Sequence, residues 1–587
     1  MSFDLPLPPQ NDPVTARQKI DEEIAQLQAK IIALKNFRNT FTPFSRLHPE
    51  VMQEIFVLAS RESKYRAVGK TSLLISWVCH HWRVLAQQTS ALWSYIDFVE
   101  PTWVEAALSR THNRSLQFSI FCPSERIGQS TPFIPLCLGN LSRISSLSLG
   151  ADSDTELHRA ASSSLLWTTP APILVALELS GMFLPSQLFS GICPILQRLS
   201  LTSCDFHWES LPIHDGLQRL EVTQPVTRTS VDGLMHRLQI AGQHLESISL
   251  DNVLLPIITT PNLIHHLPHI RQAFPKITCF SLDEDHLPSA TVFLNRISLP
   301  HTADYISIGM GNNPEEQLDT VRAFVASRGI EKWSITSLDL ELQDDYVHIN
   351  MTENRNPDNV HVGQHGDRND GNGDGGQHAD QVVNLSKTRT ISLHIDTSDD
   401  SDVRDVIPIF DILPFFPFKT LTFNGSHTPN HISALTEYLD AKGAIEELNV
   451  IEFSVWTFTS ILMEQIKRIE RIPGWNDPSA CRIGSKIRDE CRNIIGFHQL
   501  KTLSYYGDNS DRYPFDVIYF EILYKWLRSR KRVGLEVERL TFERMNISSE
   551  SYLMELYEGS VGEIECIEVE EMPDEVGVEE FRVNFDA

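Results

Sequence analysis

No stretch of this 587-residue chain approaches the ~18 continuous apolar residues that a membrane span requires. Its first residues, MSFDLPLPPQNDP, lack a basic region followed by an apolar core, so no secretory signal is visible. Positive charge is scarce: 50 Lys and Arg stand against 77 Asp and Glu, a formal net charge of −27. Phosphate backbones demand a basic surface, and this balance therefore argues against nucleic acid as a main partner. The nine cysteines (Cys79, Cys122, Cys137, Cys193, Cys204, Cys279, Cys481, Cys491 and Cys566) include no CxxC pair and no even framework. They read as reduced thiols, several of them small core residues. Together these absences predict a soluble intracellular protein, cytoplasmic and/or nuclear, with no membrane partner. Its Asn-x-Ser sequons at Asn113 and Asn424 would never meet the glycosylation machinery.

Catalytic signatures are missing too. There is no GxSxG, HExxH or dinucleotide fingerprint. Gly69-Lys70-Thr71 has the end of a phosphate loop, but the required first glycine falls on Lys64 and no strand precedes it. His265, His266 and His269 cluster without an acidic or cysteine ligand at helical spacing. The expectation is a non-catalytic chain with no cofactor and no resident metal.

What is present begins at residues 44–93, FSRLHPEVMQEIFVLAS and, after a polar gap, LLISWVCHHWRVLAQQTSALW. Ser45 is a candidate helix cap, and Pro49 falls in the first turn, where a missing N–H costs nothing. Leu47, Val51, Ile55 and Leu58 recur at helical spacing, widened by Met52 and Phe56. Leu74, Trp77, Val78, Trp82 and Leu85 form a second stripe, and Trp93 closes the segment. Read on period alone, two such helices are also what the core of a larger domain looks like.

These residues resemble the F-box. The family pattern of Leu-Pro-x-Glu-aliphatic, Ile-Phe, then Val-Cys-x-x-Trp-Arg-x-Leu-Ala and Leu-Trp finds matches along the segment. They are Leu47, Pro49, Glu50, Ile55, Phe56, Val78, Cys79, Trp82, Arg83, Leu85, Ala86, Leu92 and Trp93. His48 stands where the family usually has Pro, and the inter-helix gap RESKYRAVGKTS is long. The resemblance covers about a tenth of the chain. It implies a substrate-recognition subunit of a Skp–cullin–F-box ubiquitin ligase, docked through Leu47, Pro49, Ile55, Phe56, Val78, Trp82 and Leu85 on a Skp-type adaptor. That adaptor leads to a cullin–RING ligase, and the rest of the chain would hold an unknown substrate protein. An alternative is an interaction scaffold of the same architecture that does not join the ligase, which His48 and the long gap favour. A third is a hydrolase on a compact α/β core.

Ahead of the segment, Ile20, Ile24, Leu27, Ile31 and Leu34 are spaced four, three, four, three. Ile at a (24, 31) with Leu at d (27, 34) favours a parallel homodimer through this helix, over about three heptads. The other reading has the helix fold back on a neighbour as an ordinary amphipathic element.

From about residue 140 one phrase returns: aliphatic, polar, aliphatic, usually after an earlier Leu or Ile. It runs from ISSLSL (144–149), LVALELS (174–180), LQRLSLTSC (196–204), LQRLEV (217–222), LESISLDNV (245–253), ITCFSLDED (277–285) and DYISIGM (304–310) into the C-terminal half. There it reads ITSLDLEL (335–342), RTISLHI (389–395), FKTLTFNG (418–425), IEELNVIEF (445–453), LKTLSYYG (500–507), VERLTFER (537–544) and IECIEVEEM (564–572). Period-two alternation marks strands with one buried face. Helix-like pieces at 230–244, 315–329 and 432–443 lie between them, so the array resembles a degenerate leucine-rich-repeat solenoid. Only LTSC (201–204) and LDNV (250–253) come near that family's turn Asn. The segment 471–492 reads as an extra helix or a loop. Arg528, Arg530, Lys531 and Arg532 read either as a nuclear signal or as a basic helix end. The acidic C-terminus reads as a solvated face or tail.

The expected fold is α/β: a small all-helical F-box module, then a strand–helix leucine-rich-repeat-like solenoid. Residues 1–13 form a disordered N-terminus, 14–40 the amphipathic or coiled-coil helix, 41–98 the F-box and 99–587 the solenoid. A disordered Gly/Asn/Asp/His-rich insertion occupies about 351–385.

Overall fold

A computed structural model describes residues 13–62, 71–96, 101–112, 114–122, 139–151, 167, 169–257, 271–300, 303–310, 313–328, 335–342, 346–354, 388–396, 407–413, 418–425, 438–439, 441, 445–451, 454–473, 475, 485–506, 517–543, 546–547, 557, 559–567 and 570–571. The architecture is mixed α/β, with helices set against parallel sheet. No helix among the described residues is long and apolar enough to cross a membrane. The chain divides into two compact units, one of residues 1–217 with 225–227 and one of 218–224 with 228–587.

The first unit opens with five helices: α1 (Pro13–Asn39), α2 (Pro49–Glu62), α3 (Thr71–Val78), α4 (His80–Gln88) and α5 (Pro101–Arg110). Strands β1 (Tyr95–Ile96), β2 (Leu116–Cys122), β3 (Ile144–Ala151), β4 (Ala176–Ser180) and β5 (Arg198–Thr202) then pair in parallel, each with the next. Residue 98 is therefore not a boundary between units. The strand at Tyr95–Ile96 already pairs with Gln117 and Phe118.

In the second unit β6 (Arg219–Thr223), β7 (Ser247–Asp251), β8 (Cys279–Glu284) and β9 (Tyr305–Met310) continue in parallel, in chain order. Chain order is then interrupted. The next neighbour of β9 is Thr388–Asp396, which pairs antiparallel with Tyr346–Asn354, itself antiparallel to Ile335–Leu342. Parallel order resumes from Ile335–Leu342 through Thr420–Gly425, Glu447–Ile451, Thr502–Tyr506, Arg539–Glu543 and Glu563–Ile567. All of the expected phrases are strands. The repeated strand–helix order is broken at one place, where Tyr346–Asn354, a strand outside the expected phrases, runs antiparallel to both neighbours. The insertion expected from about 351 is likewise displaced, because 351–354 belong to that strand. The remainder of it, at 355–385, lies outside the described residues, as do the N-terminal 1–12.

Alternation is what closes this core. In-register rows such as Leu147–Leu177–Leu199, Val222–Leu250–Leu282–Ile308 and Leu421–Leu448–Leu503–Leu540 are buried. Each such side chain contributes about 2 kcal/mol on leaving water. Two backbone devices recur along the strands. The carbonyl before one strand accepts N–H groups from both residues that open the next. Val175 O takes Gln197 and Arg198, Glu246 O takes Thr278 and Cys279, and Lys501 O takes Glu538 and Arg539. At the far end, β4 to β7 are each followed by a left-handed residue: Gly181 (φ 65°), Ser203 (φ 51°), Gln224 (φ 46°) and Asn252 (φ 52°). Gly181 N–H donates to Thr202 O, Gln224 N–H to Asp251 O and Asn252 N–H to Asp283 O. One turn geometry is thus reused strand after strand, mostly by residues that pay a steric cost for it.

In the first unit α5 lies between β1 and β2, and the segments after β4 and β5 hold short 3-10 turns, Leu188–Gly191 and Trp208–Ser210. In the second the expected helices form at Val231–Ala241, capped by Ser230 Oγ on Gly233 N–H, and at Pro314–Arg328. The helix expected at 432–443 lies almost wholly outside the described residues. Within 471–492 a helix forms at Ser485–Ile494.

The basic run is a helix end. Arg530 is fully buried near the end of Val517–Arg532, and its guanidinium donates to Leu535 O, Gly496 O and Phe497 O. Lys531 pairs with Glu536, and Arg532 lies over the Trp475 ring. Cys193, Cys204 and Cys491 are buried free thiols. Burial pushes Cys193 and Cys204 up to about 11, which keeps them protonated and inert.

Glu284, at the end of β8, is fully buried and accepts N–H groups from Val253 and Leu254. Burial raises its carboxyl to about 7, partly offset by those two donors and by Arg228. A raised carboxyl stabilises the fold fully below the ordinary value near 4.5, and that contribution is lost as pH rises through about 7. Denaturant unfolding at pH 5 and pH 8 should show wild type losing up to about 3 kcal/mol more than Glu284→Gln across this interval. Equal losses in the two proteins would contradict the assignment.

Candidate functional site

The helical segment of the first unit is built around its aromatic residues. Trp93 is buried, donates Nε1–H to Ala86 O at 2.7 Å, and has the Arg110 guanidinium 4.2 Å from its ring. Phe56 is buried, with its ring 5.0 Å from Trp82, and Trp82 meets Phe44 at 6.1 Å. The second apolar stripe is not one helix. It breaks at Cys79, whose extended backbone (φ −158°) ends α3 and whose Sγ accepts the Trp82 N–H to cap α4. Arg83 Nε bonds back to Ser76 O, closing the end of α3.

Ser45 does not cap α2. It lies in a 3-10 turn, Pro43–Arg46, and its hydroxyl donates to the carbonyls of Thr40 and Thr42. Pro49 does open α2, as expected.

Packing divides the apolar residues of α2 into two faces. Met52 and Phe56 point inward and are buried to about 1% exposure, whereas Val51, Ile55 and Leu58 are exposed, continuing a line from Leu47. α3 is divided in the same way: Leu73 and Ile75 are buried together with Ser72 and Ser76, while Leu74, Trp77 and Val78 lie outside at 54–59% exposure. Trp77 meets the ring of Trp103 of α5 edge-on, with centroids 6.3 Å apart. α3 thus carries apolar side chains on both faces, and the outer three form part of an exposed apolar surface.

Of the residues expected to dock, Leu47, Pro49, Ile55 and Val78 are exposed and Trp82 is half-buried. Phe56 and Leu85 are buried, so they hold the helices together instead of lining the surface. Val78, Trp82 and Phe44 share one cleft of about 540 Å³ with the end of α1, where Asn36, Arg38, Asn39, His80 and His81 complete the wall. Phe44, Val51, Leu58, Leu74 and Trp77 are exposed too, but were not among the residues expected to dock. Their signal was the helical period itself, which does not say which side of a doubly apolar helix faces out.

Among the described residues no group of three or more His, Cys, Asp or Glu could hold a metal ion. His265, His266, His269 and the insertion histidines lie outside the described residues, as do Gly69 and Lys70. α1 is exposed along its apolar seam, Ile20, Ile24, Leu27, Ile31 and Leu34 included, so among the described residues the seam does not fold back on a neighbour. No protein-family model and no curated protein matches the chain.

Proposed function

We propose that the chain is the substrate-recognition subunit of a Skp–cullin–F-box ubiquitin ligase, with α2 to α4 as the F-box and the strand array as a leucine-rich-repeat-like solenoid. The observation that carries this reading is the outward apolar face of a small helical module, Leu47, Ile55, Trp77 and Val78, supported from within by Phe56, Trp82 and Leu85. All of these except Trp77 fall on the F-box-like pattern. The exposed ones are the anchors that an adaptor groove would desolvate, where interface energy concentrates. The repeated strand openings and left-handed turns support the repeat reading, because one local geometry serves successive strands. The array would bind the substrate protein, and the chain would perform no bond chemistry. Its effect is proximity, a raised effective concentration of substrate lysine beside the charged conjugating enzyme.

Reconstitution tests this. Mixed with a Skp-type adaptor, cullin and RING subunit, the full chain should co-elute with cullin only when the adaptor is present. A folded chain that elutes alone from the complete mixture would leave an interaction scaffold outside the ligase.

A further inference from the structure

α1 is 27 residues long and carries an apolar seam that stays exposed among the described residues. We propose that this seam pairs with α1 of a second copy of the chain, and that the two helices run antiparallel. The proposal stands on α1 alone and does not depend on adaptor docking.

Three features of the sequence choose the direction. In a parallel pair each g residue faces the e residue five positions on in its partner, which sets Lys30 against Lys35 of the other copy. The same arrangement stacks Arg17, at an a position, against its own copy in the seam. In the antiparallel register that sets Ile24 opposite Leu27 and Ile20 opposite Ile31, Arg17 meets Leu34, along which its stem can lie. The g positions then bring Glu23 of each copy to Lys30 of the other, two attractive pairs by symmetry. The third feature is net charge. Each chain carries −27, and in an antiparallel pair the chains leave α1 at opposite ends, roughly 40 Å apart at 1.5 Å per residue. That is several Debye lengths in physiological salt, whereas a parallel pair places both acidic bodies at one end.

Sedimentation equilibrium of the full-length chain tests the proposal. A reversible dimer should appear at roughly 10–100 µM, the range for a seam of about three heptads. Ile24→Asp, at an exposed position, should leave the chain folded by circular dichroism and monomeric. Lys30→Glu separates the two directions. It turns both Glu23 pairs repulsive in the antiparallel dimer and should weaken it roughly tenfold, whereas in a parallel dimer it would meet Lys35 and tighten association. Glu23→Lys added to Lys30→Glu should restore wild-type association to within about threefold. A chain that stays monomeric throughout the range overturns the proposal, leaving the seam to a different partner. So does a dimer that survives Ile24→Asp, and so does one that tightens on Lys30→Glu.

Discussion

The full-length chain carrying Ile55→Asp and Val78→Asp is expected to lose Skp-type adaptor binding by at least about a hundredfold, with its unfolding midpoint within about 2 °C of wild type. The two halves of that result have one cause. Both side chains are exposed in the free chain, Ile55 at 38% and Val78 at 59%, so a carboxylate there is solvated and the helices keep their packing. Pressed into an apolar groove, each carboxylate must shed water without a partner, which costs several kcal/mol per site. Phe56→Ala should behave in the opposite order. Phe56 is buried against Trp82, and its loss should cost the module about 3–5 kcal/mol before any partner is added. Binding measured beside thermal unfolding distinguishes the two classes. If Ile55→Asp with Val78→Asp binds as wild type does, the exposed face is not the interface.

The second large effect is expected at Arg530. Its guanidinium donates to three backbone carbonyls, with the Trp526 ring 4.7 Å away. Arg530→Met removes all three donors and strands the carbonyls of Gly496, Phe497 and Leu535 in a buried place. About 3–5 kcal/mol of stability in the second unit should go with them. Arg530→Lys should rescue little, because one ammonium cannot reproduce the planar fork that reaches both the 496–497 turn and Leu535. Urea denaturation followed by tryptophan fluorescence reads this directly, and a change below about 1 kcal/mol in Arg530→Met would show that the turn re-forms its bonds with water.

How much of this was legible from sequence follows from what periodicity encodes. The strands were legible because rows such as Leu421, Leu448, Leu503 and Leu540 repeat one buried position in register. Direction was not. Val347, Ile349 and Met351 alternate as any strand does, yet Tyr346–Asn354 runs opposite to its neighbours, and a period of two is the same read either way. The turns after β5 and β6 were hidden because Ser203 and Gln224, and not glycine, hold positive φ. In the helical segment the period located α2 but merged two faces, Met52 and Phe56 inside, Val51, Ile55 and Leu58 outside. The break between α3 and α4 carries neither Gly nor Pro. It is made by Cys79 acting as a cap, a role few sequence rules give to cysteine. For the basic run, composition allowed a nuclear signal but favoured a helix end, and the structure places Arg530, Lys531 and Arg532 in the last turn of Val517–Arg532 with Arg530 buried.

The central claim is that the module of α2 to α4 docks on a Skp-type adaptor. Calorimetric titration of the full-length chain with the purified adaptor tests it most directly. A one-to-one complex with Kd below about 1 µM, and a negative heat-capacity change from apolar burial, is the expected result. A folded chain that gives no binding heat at adaptor concentrations of about 100 µM would contradict the claim.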